Sequence, residues 1–178
     1  MREQCPLCGK KLVEPSGPED ADIILVGARP GWEEIAKGVP WIGKAGKVLE
    51  AELAKQGIQR QSCRVTNLWL HEPPPPGTPK KPNPEYTREL EWHFERLLKE
   101  LKGRKYIFLM GAEPCEVLKV GNVMDVSGLQ VSSEYFRGST QVCVASPNPA
   151  IVLHGESKDS LVGEVRLAFS RFAELVGS

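Results

Sequence analysis

One stretch constrains the fold of this chain more than any other. The apolar run Ala21-Asp22-Ile23-Ile24-Leu25-Val26 empties into Gly27-Ala28-Arg29-Pro30-Gly31-Trp32-Glu33-Glu34, and a second glycine-rich segment, Gly38-Val39-Pro40-Trp41-Ile42-Gly43-Lys44-Ala45-Gly46, follows at once. The apolar run reads as a buried parallel strand, and Lys47-Val48-Leu49-Glu50-Ala51-Glu52-Leu53 reads as a helix. A strand that ends in a Gly/Pro-rich loop before a helix is where an open α/β sheet places a ligand. Many α/β proteins carry such a loop with no chemistry in it, so the loop predicts architecture first.

The alternation continues along the chain. The pattern predicts strands over 22–27, 63–68, 105–110 and 140–145, and helices over about 44–57, 85–101, 112–119 and 158–176. Leu161, Val165, Leu167, Ala168, Phe172 and Leu175 recur at helical spacing, giving the last helix a face to lay on a sheet. The expected fold is therefore a three-layer α/β/α domain around a mainly parallel, four-stranded sheet with right-handed crossovers. The 178 residues fit one such domain. Residues 1–20 are too short to bury a core of their own, and their Cys5-Pro6-Leu7-Cys8 pair makes a metal-binding knuckle the expected means of ordering them.

Composition excludes several classes. Lys+Arg and Asp+Glu are both 23, so bulk charge announces no polyanionic partner, although a local basic face is compatible with it. Nothing resembles a signal peptide, and no apolar run approaches the roughly 20 residues that span a bilayer. A cytoplasmic protein without a membrane partner is expected. Five cysteines, an odd number, argue for metal binding or free thiols over a disulfide framework; Cys63, Cys115 and Cys143 sit in apolar runs and read as small core residues.

Two interruptions break the pattern. The segment from His71 to Pro84, with Pro73-Pro74-Pro75-Pro76 and the pair Lys80-Lys81, reads as a stiff polyproline-like loop, either a plain connector or a rigid wall against a polyanionic backbone. Residues 120–139, which include Asp125, have weak periodicity and read as a hairpin or an irregular excursion.

Taken together, the motifs resemble those of the uracil-DNA glycosylase superfamily, and within it the family-four, iron–sulfur type enzymes. The family's GEAPG, four residues, then RQGRPFVGKAGQLL is similar to Gly27-Ala28-Arg29-Pro30-Gly31, then WEEI, then AKGVPWIGKAGKVL. Its TN-x-x-K-C-R-P-P strand end looks like the run from Thr66 to Pro74, its VIVALGA strand like Tyr106 to Ala112, and its HPA motif falls on Asn148-Pro149-Ala150. The resemblance implies a monofunctional DNA glycosylase that extrudes a nucleotide from the stack and hydrolyses its N-glycosidic bond. It places Trp41 as the aromatic that stacks on the base and Asn67 as the amide that reads its edge. From the residues alone, Asn67 reads first as a strand-end turn former, and the resemblance reverses that order.

The departures fall on the catalytic motifs. Ala28 stands where the family has the glutamate that handles the attacking water, and Asn148 where it has the histidine that stabilises the departing base. Asn148 is the expected replacement, as a preorganised donor or a water-positioning group, and Glu34, on a glutamate position of the family pattern, is the expected water-handling carboxylate. Glu33 reads as a first-turn helix carboxylate. Arg29 replaces a small residue, to clamp a phosphate, touch a base modification or pair with Glu33. Gly31 leaves no side chain to exclude a 5-substituent, which permits a hypermodified pyrimidine such as the hydroxymethyl- or glucosyl-cytosine of phage DNA. Leu153 and His154 are the candidate wedge into the vacated stack, with Lys80, Lys81 and Lys158 as the flanking basic contacts to DNA.

The resemblance also implies a cluster held by the N-terminal Cys pair, a cysteine in the K-C-R-P-P segment and a fourth cysteine. Cys5 and Cys8 persist, His71 takes the third position, and the fourth maps near Glu91, two residues from His93. Four thiolates are what such a cluster needs, so structural zinc on Cys5, Cys8, His71 and His93 is expected in place of iron and sulfur, with no organic cofactor. The expected protein is a monomeric enzyme excising a modified pyrimidine, with uracil excision as the enzymatic alternative and a catalytically inactive nucleic-acid-binding module as the alternative of another class.

Overall fold

The structure is a computed structural model and describes residues 3–136, 139–154 and 159–177. Its centre is a five-stranded sheet built from β1 (Ile23–Gly27), β2 (Arg64–Asn67), β5 (Tyr106–Met110), β6 (Gln130–Val131) and β7 (Val142–Ser146), in the order β2-β1-β5-β7-β6. The four strands read from the sequence are parallel, with Leu25 opposite Val65 and Phe108, and Phe108 opposite Val144. The fifth is a correction: β6 pairs antiparallel with β7 inside the stretch expected to be a hairpin or irregular. Two residues are too few to show a period of two, which is why the sequence pattern passed over them.

Alternate residues of each strand face opposite layers, as the pleat requires. Ile24, Val26, Ile107 and Leu109 pack under helix α3 (Pro84–Leu101) and the short helices α4 (Ala112–Val117) and α5 (Val123–Val126). Leu25, Phe108, Met110 and Val144 pack under α2 (Lys44–Lys55) and α6 (Asp159–Gly177), where Phe108 lies between Phe169 and Phe172 with ring centroids 4.7 Å from each. Cys63, Cys115 and Cys143 are fully buried, and burial pushes the Cys63 thiol up to about 11 and Cys115 up to about 12, which leaves them as inert core thiols.

The loop between β1 and α2 contains a short helix, α1 (Trp32–Lys37), that turns the chain back over the end of the sheet. The proline-rich segment is not polyproline-like throughout. Gly77-Thr78 (β3) and Lys81-Pro82 (β4) close into a small antiparallel hairpin, with Gly77 at φ +81° against the Lys81 carbonyl, where a Cβ would sit only 2.5 Å away. Asn83 then caps α3 by accepting the Glu85 N–H, with Pro84 in the first turn. Asp125 is exposed on α5.

The N-terminal segment packs along the rim. Cys5, Leu12 and Leu70 form their own buried cluster with Leu7, Cys8 and Trp92 against it. The Val13 amide donates to the Leu70 carbonyl, and Ser16 exchanges two backbone hydrogen bonds with Val65 of β2.

Candidate active site and metal centre

β1, β2 and β7 all end on the same side of the sheet, and a cavity of about 380 Å³ opens there, walled by residues that follow each of them. Ala28, Arg29 and Gly31 come from the β1 loop, Glu34 from α1, Trp41 from the second loop, Asn67 from the end of β2 and Asn148 from beyond β7. The sequence-predicted base-binding and catalytic residues are thus brought together.

Trp41 and Asn67 act as one unit. The indole Nε1–H donates to Asn67 Oδ1 at 3.0 Å, and both side chains are almost fully buried. Because that oxygen accepts from the indole, the Asn67 amide turns its Nδ2 donors toward the cavity. The pair is wedged against bare backbone: a Cβ on Gly27 would lie 2.3 Å from the indole and 2.4 Å from Asn67 Oδ1. Trp41 itself has φ +57°, a left-handed conformation rare for an aromatic residue, and Gly46 of α2 passes so close to the Trp41 carbonyl that a Cβ there would sit 1.9 Å from it. From the far side Arg96 of α3 donates to Thr66 Oγ1 at 3.2 Å, to the Asn67 carbonyl at 2.6 Å and to the Leu68 carbonyl at 3.0 Å, fixing the strand end that carries Asn67.

Glu34 is buried, and its Oε1 accepts from the Ile42 and Gly43 amides at 3.2 and 2.9 Å, so it caps α2 from a neighbouring element. Its other oxygen faces Gly31, where a Cβ would come within 2.7 Å of Oε2. The glycine at 31 therefore makes room for this carboxylate. Asn148 Oδ1 accepts from the Ala150 amide at 2.9 Å, which leaves its Nδ2 as a donor for the cavity.

Arg29 does not pair with Glu33. It bridges to Glu113, with Glu72 at 3.7 Å on its other side, and Trp69 Nε1 donates to the same Glu113. A guanidinium engaged by two carboxylates ties the loops after β1, β2 and β5 together at the pocket mouth. On the rim, Trp32 is 79% exposed and Leu153 47% exposed, and Lys80 and Lys81 are exposed on the β3–β4 hairpin. The side chain of His154 and all of Lys158 lie outside the described residues. The sequence reading gave no role to Trp32, Arg96 or Glu89. An exposed tryptophan beside a glycine-rich loop was a readable signal, whereas the buried Glu89 and the half-buried Arg96 of α3 have no sequence mark.

A second cluster lies on the N-terminal side. Cys5 Sγ, Cys8 Sγ and a ring nitrogen of His71 all lie within 4.8 Å of one another, a possible metal site. The donor set does not fit a four-iron cluster, which takes four thiolates: the remaining cysteines, Cys63, Cys115 and Cys143, are buried in the two main cores. Two thiols and an imidazole fit three corners of a mononuclear site. Burial pushes the Cys8 thiol up to about 11, so a metal there has to displace its proton. His93 falls outside the three-residue group. Its Nε2 lies 3.1 Å from His71 Nε2, and its Nδ1 accepts the Leu70 N–H at 3.4 Å. Burial, with His71 and Arg96 adding to it, pushes His93 down to about 3, and the Leu70 N–H on Nδ1 places the proton of the neutral ring on Nε2.

A doubly covered sheet with a pocket beyond its strand ends, walled by an indole, two carboxamides and a carboxylate, defines a class of α/β proteins that take a flat polar ring into a crevice. Residues 14–169 match the Uracil DNA glycosylase superfamily, and the chain belongs to that superfamily. It is similar to the Type-4 uracil-DNA glycosylase of Archaeoglobus fulgidus, at 29% identity over 90% of this chain and 80% of that protein. The enzyme of the same name from Pyrobaculum aerophilum is 32% identical over 96% of this chain and 87% of its own length, and that of Thermotoga maritima 27% identical over 87% and 79%.

Proposed function

We propose that this protein is a DNA glycosylase that takes an extruded pyrimidine into the pocket and hydrolyses its N-glycosidic bond, leaving an abasic site, with uracil as the base it removes. Membership in the superfamily and the Type-4 relatives support the reaction class. The observation that carries the choice of base is the Trp41–Asn67 hydrogen bond, because it commits the amide oxygen and offers the base a donor. A donor matches the 4-keto edge of uracil and opposes the 4-amino edge of cytosine and its hydroxymethylated or glucosylated forms.

The base stacks against the Trp41 ring as Asn67 Nδ2 donates to its carbonyl. The bond from the sugar C1′ to the ring nitrogen breaks with its electron pair going to the base, and Asn148 Nδ2 donates to the carbonyl oxygen on which that charge gathers. Glu34 Oε2 holds the water that adds to C1′, since Ala28 offers no titratable group. Among the described residues the pocket walls hold no lysine except Lys44 at the α2 start, so a monofunctional hydrolase fits better than a Schiff-base lyase. Trp32, Leu153, Lys80 and Lys81 form the face toward DNA. No helix among the described residues is long and apolar enough to cross a membrane. Zinc on Cys5, Cys8 and His71 ties the N-terminal segment to the sheet and takes no part in the reaction.

The test is incubation with oligonucleotides carrying a single uracil, hydroxymethylcytosine or glucosylated cytosine, followed by alkali to reveal abasic sites. Uracil DNA is expected to be cut, and Asn148→Ala to slow that cleavage by about 100-fold or more with an unchanged unfolding midpoint. Cutting of the cytosine derivatives alone would move the substrate to hypermodified DNA. Tight binding with no product from any of them would make the chain a binding module.

A further inference from the structure

Glu89 of α3 is fully buried, and neither of its carboxylate oxygens has a hydrogen-bond partner among the described residues. An unpartnered carboxylate in the interior costs several kcal/mol and persists where something absent from the protein chain itself compensates it. Its Oε2 lies 3.4 Å from His71 Nε2, and Cys8 Sγ lies 3.5 Å from the same nitrogen. Both atoms carry lone pairs and both face the same ring nitrogen. The His71 Nδ1 lies 2.9 Å from the Glu72 carbonyl oxygen, which places the ring proton on Nδ1 and leaves Nε2 unprotonated, able to ligate once the His93 Nε2–H 3.1 Å away turns aside. In a tetrahedral zinc site with Zn–S of about 2.3 Å and Zn–N or Zn–O of about 2.0–2.1 Å, the S···N and N···O edges come to about 3.5 and about 3.3 Å. The distances around His71 match those edges.

From this geometry we infer that Glu89 is the fourth ligand of a mononuclear Cys2HisGlu metal site, with Cys5, Cys8 and His71 as the other three. Like His93, Glu89 stands outside the three-residue group whose ligand atoms all lie within 4.8 Å, so one of the two has to close on it. His93 is held back by its own bond, since its Nδ1 accepts from the Leu70 N–H at 3.4 Å. Glu89 has no such tie and gains its missing partner by moving in. His93 is then an outer residue whose ring packs edge-on against that of His71, centroids 4.7 Å apart. The N-terminal segment is thereby linked through the ion to α3 as well as to the end of β2.

The test uses the full chain loaded with Zn2+ or Co2+, read by metal content, by competition with a chromophoric chelator and by the Co2+ visible spectrum. None of these depends on base cleavage, so the outcome is separate from that of the glycosylase assay. One ion per chain with a tetrahedral Co2+ spectrum is expected. Glu89→Gln is expected to weaken binding by about 100-fold or more, and His93→Gln by about 10-fold or less. Glu89→Cys should restore tight binding and strengthen the thiolate-to-cobalt charge-transfer band, a change that packing alone would not produce. Wild-type affinity and spectrum in Glu89→Gln with loss in His93→Gln would hand the position to His93. A brown iron–sulfur chromophore in anaerobically purified protein, or no ion bound at all, would overturn the site.

Discussion

At the scale of single residues, Trp41 carries two tasks in one ring. Its face lines the cavity and its edge orients the amide of Asn67, and the backbone takes a left-handed turn to bring both about. Phenylalanine at this position keeps the face and loses the edge. Trp41→Phe is therefore expected to cost about 1 kcal/mol of amide orientation, or about fivefold in single-turnover cleavage of uracil DNA, and to narrow the preference for uracil over cytosine. An unchanged rate and preference would show that Asn67 is oriented without the indole. Trp41 and Asn67 were legible because their neighbours in sequence repeat a family motif. Gly31 was legible only as an absence, an open wall, and the structure gives that glycine a different cause in the Glu34 carboxylate packed against it. Glu89 was not legible at all: in Glu85, Glu89, Glu91, Glu95 and Glu100 the sequence shows five acidic residues on a charged helix, and only the packing distinguishes the one that is buried.

At the scale of elements, α3 organises more of the site than its amphipathic pattern announces. Arg96 projects from it under the end of β2 and satisfies three acceptors there, while burial pushes its guanidinium down to about 10. Replacing it with leucine would leave Thr66 Oγ1 and two carbonyls without these donors. Arg96→Leu is expected to lower stability by about 2–3 kcal/mol in urea unfolding and to raise KM for uracil DNA as Asn67 loosens. A loss below about 0.5 kcal/mol would mean that water replaces the guanidinium at those carbonyls. The main helices and parallel strands were readable within two or three residues because their apolar periods are long. The β3–β4 hairpin and β6 were not, since two-residue strands have no period and exist through the partner they meet.

At the scale of the whole molecule, the N-terminal segment joins what the sheet alone leaves separate. Its Cys5–Cys8–His71 group, its bond to Leu70 and its exchange with Val65 attach it along β2, the strand that delivers Asn67 to the pocket. Chelation of the ion is expected to lower the melting temperature by several degrees and to loosen residues 3–13 first, as hydrogen exchange would report. Unchanged protection of that segment in chelator would place its stability in the Leu12–Leu70 packing instead.

The bridge at Ser16 has a further consequence, for how copies of the protein behave toward each other. A central sheet ends in two strands whose outward amides invite a neighbouring chain to add on. Here one border is the two-residue β6, too short to template a stranger, and the other is blocked at Val65 by Ser16. The segment that carries Ser16 thus covers the sheet edge as well as bringing Cys5 and Cys8 to His71. A chain cut before Ala21 is expected to self-associate through β2 at concentrations where the intact protein scatters no light.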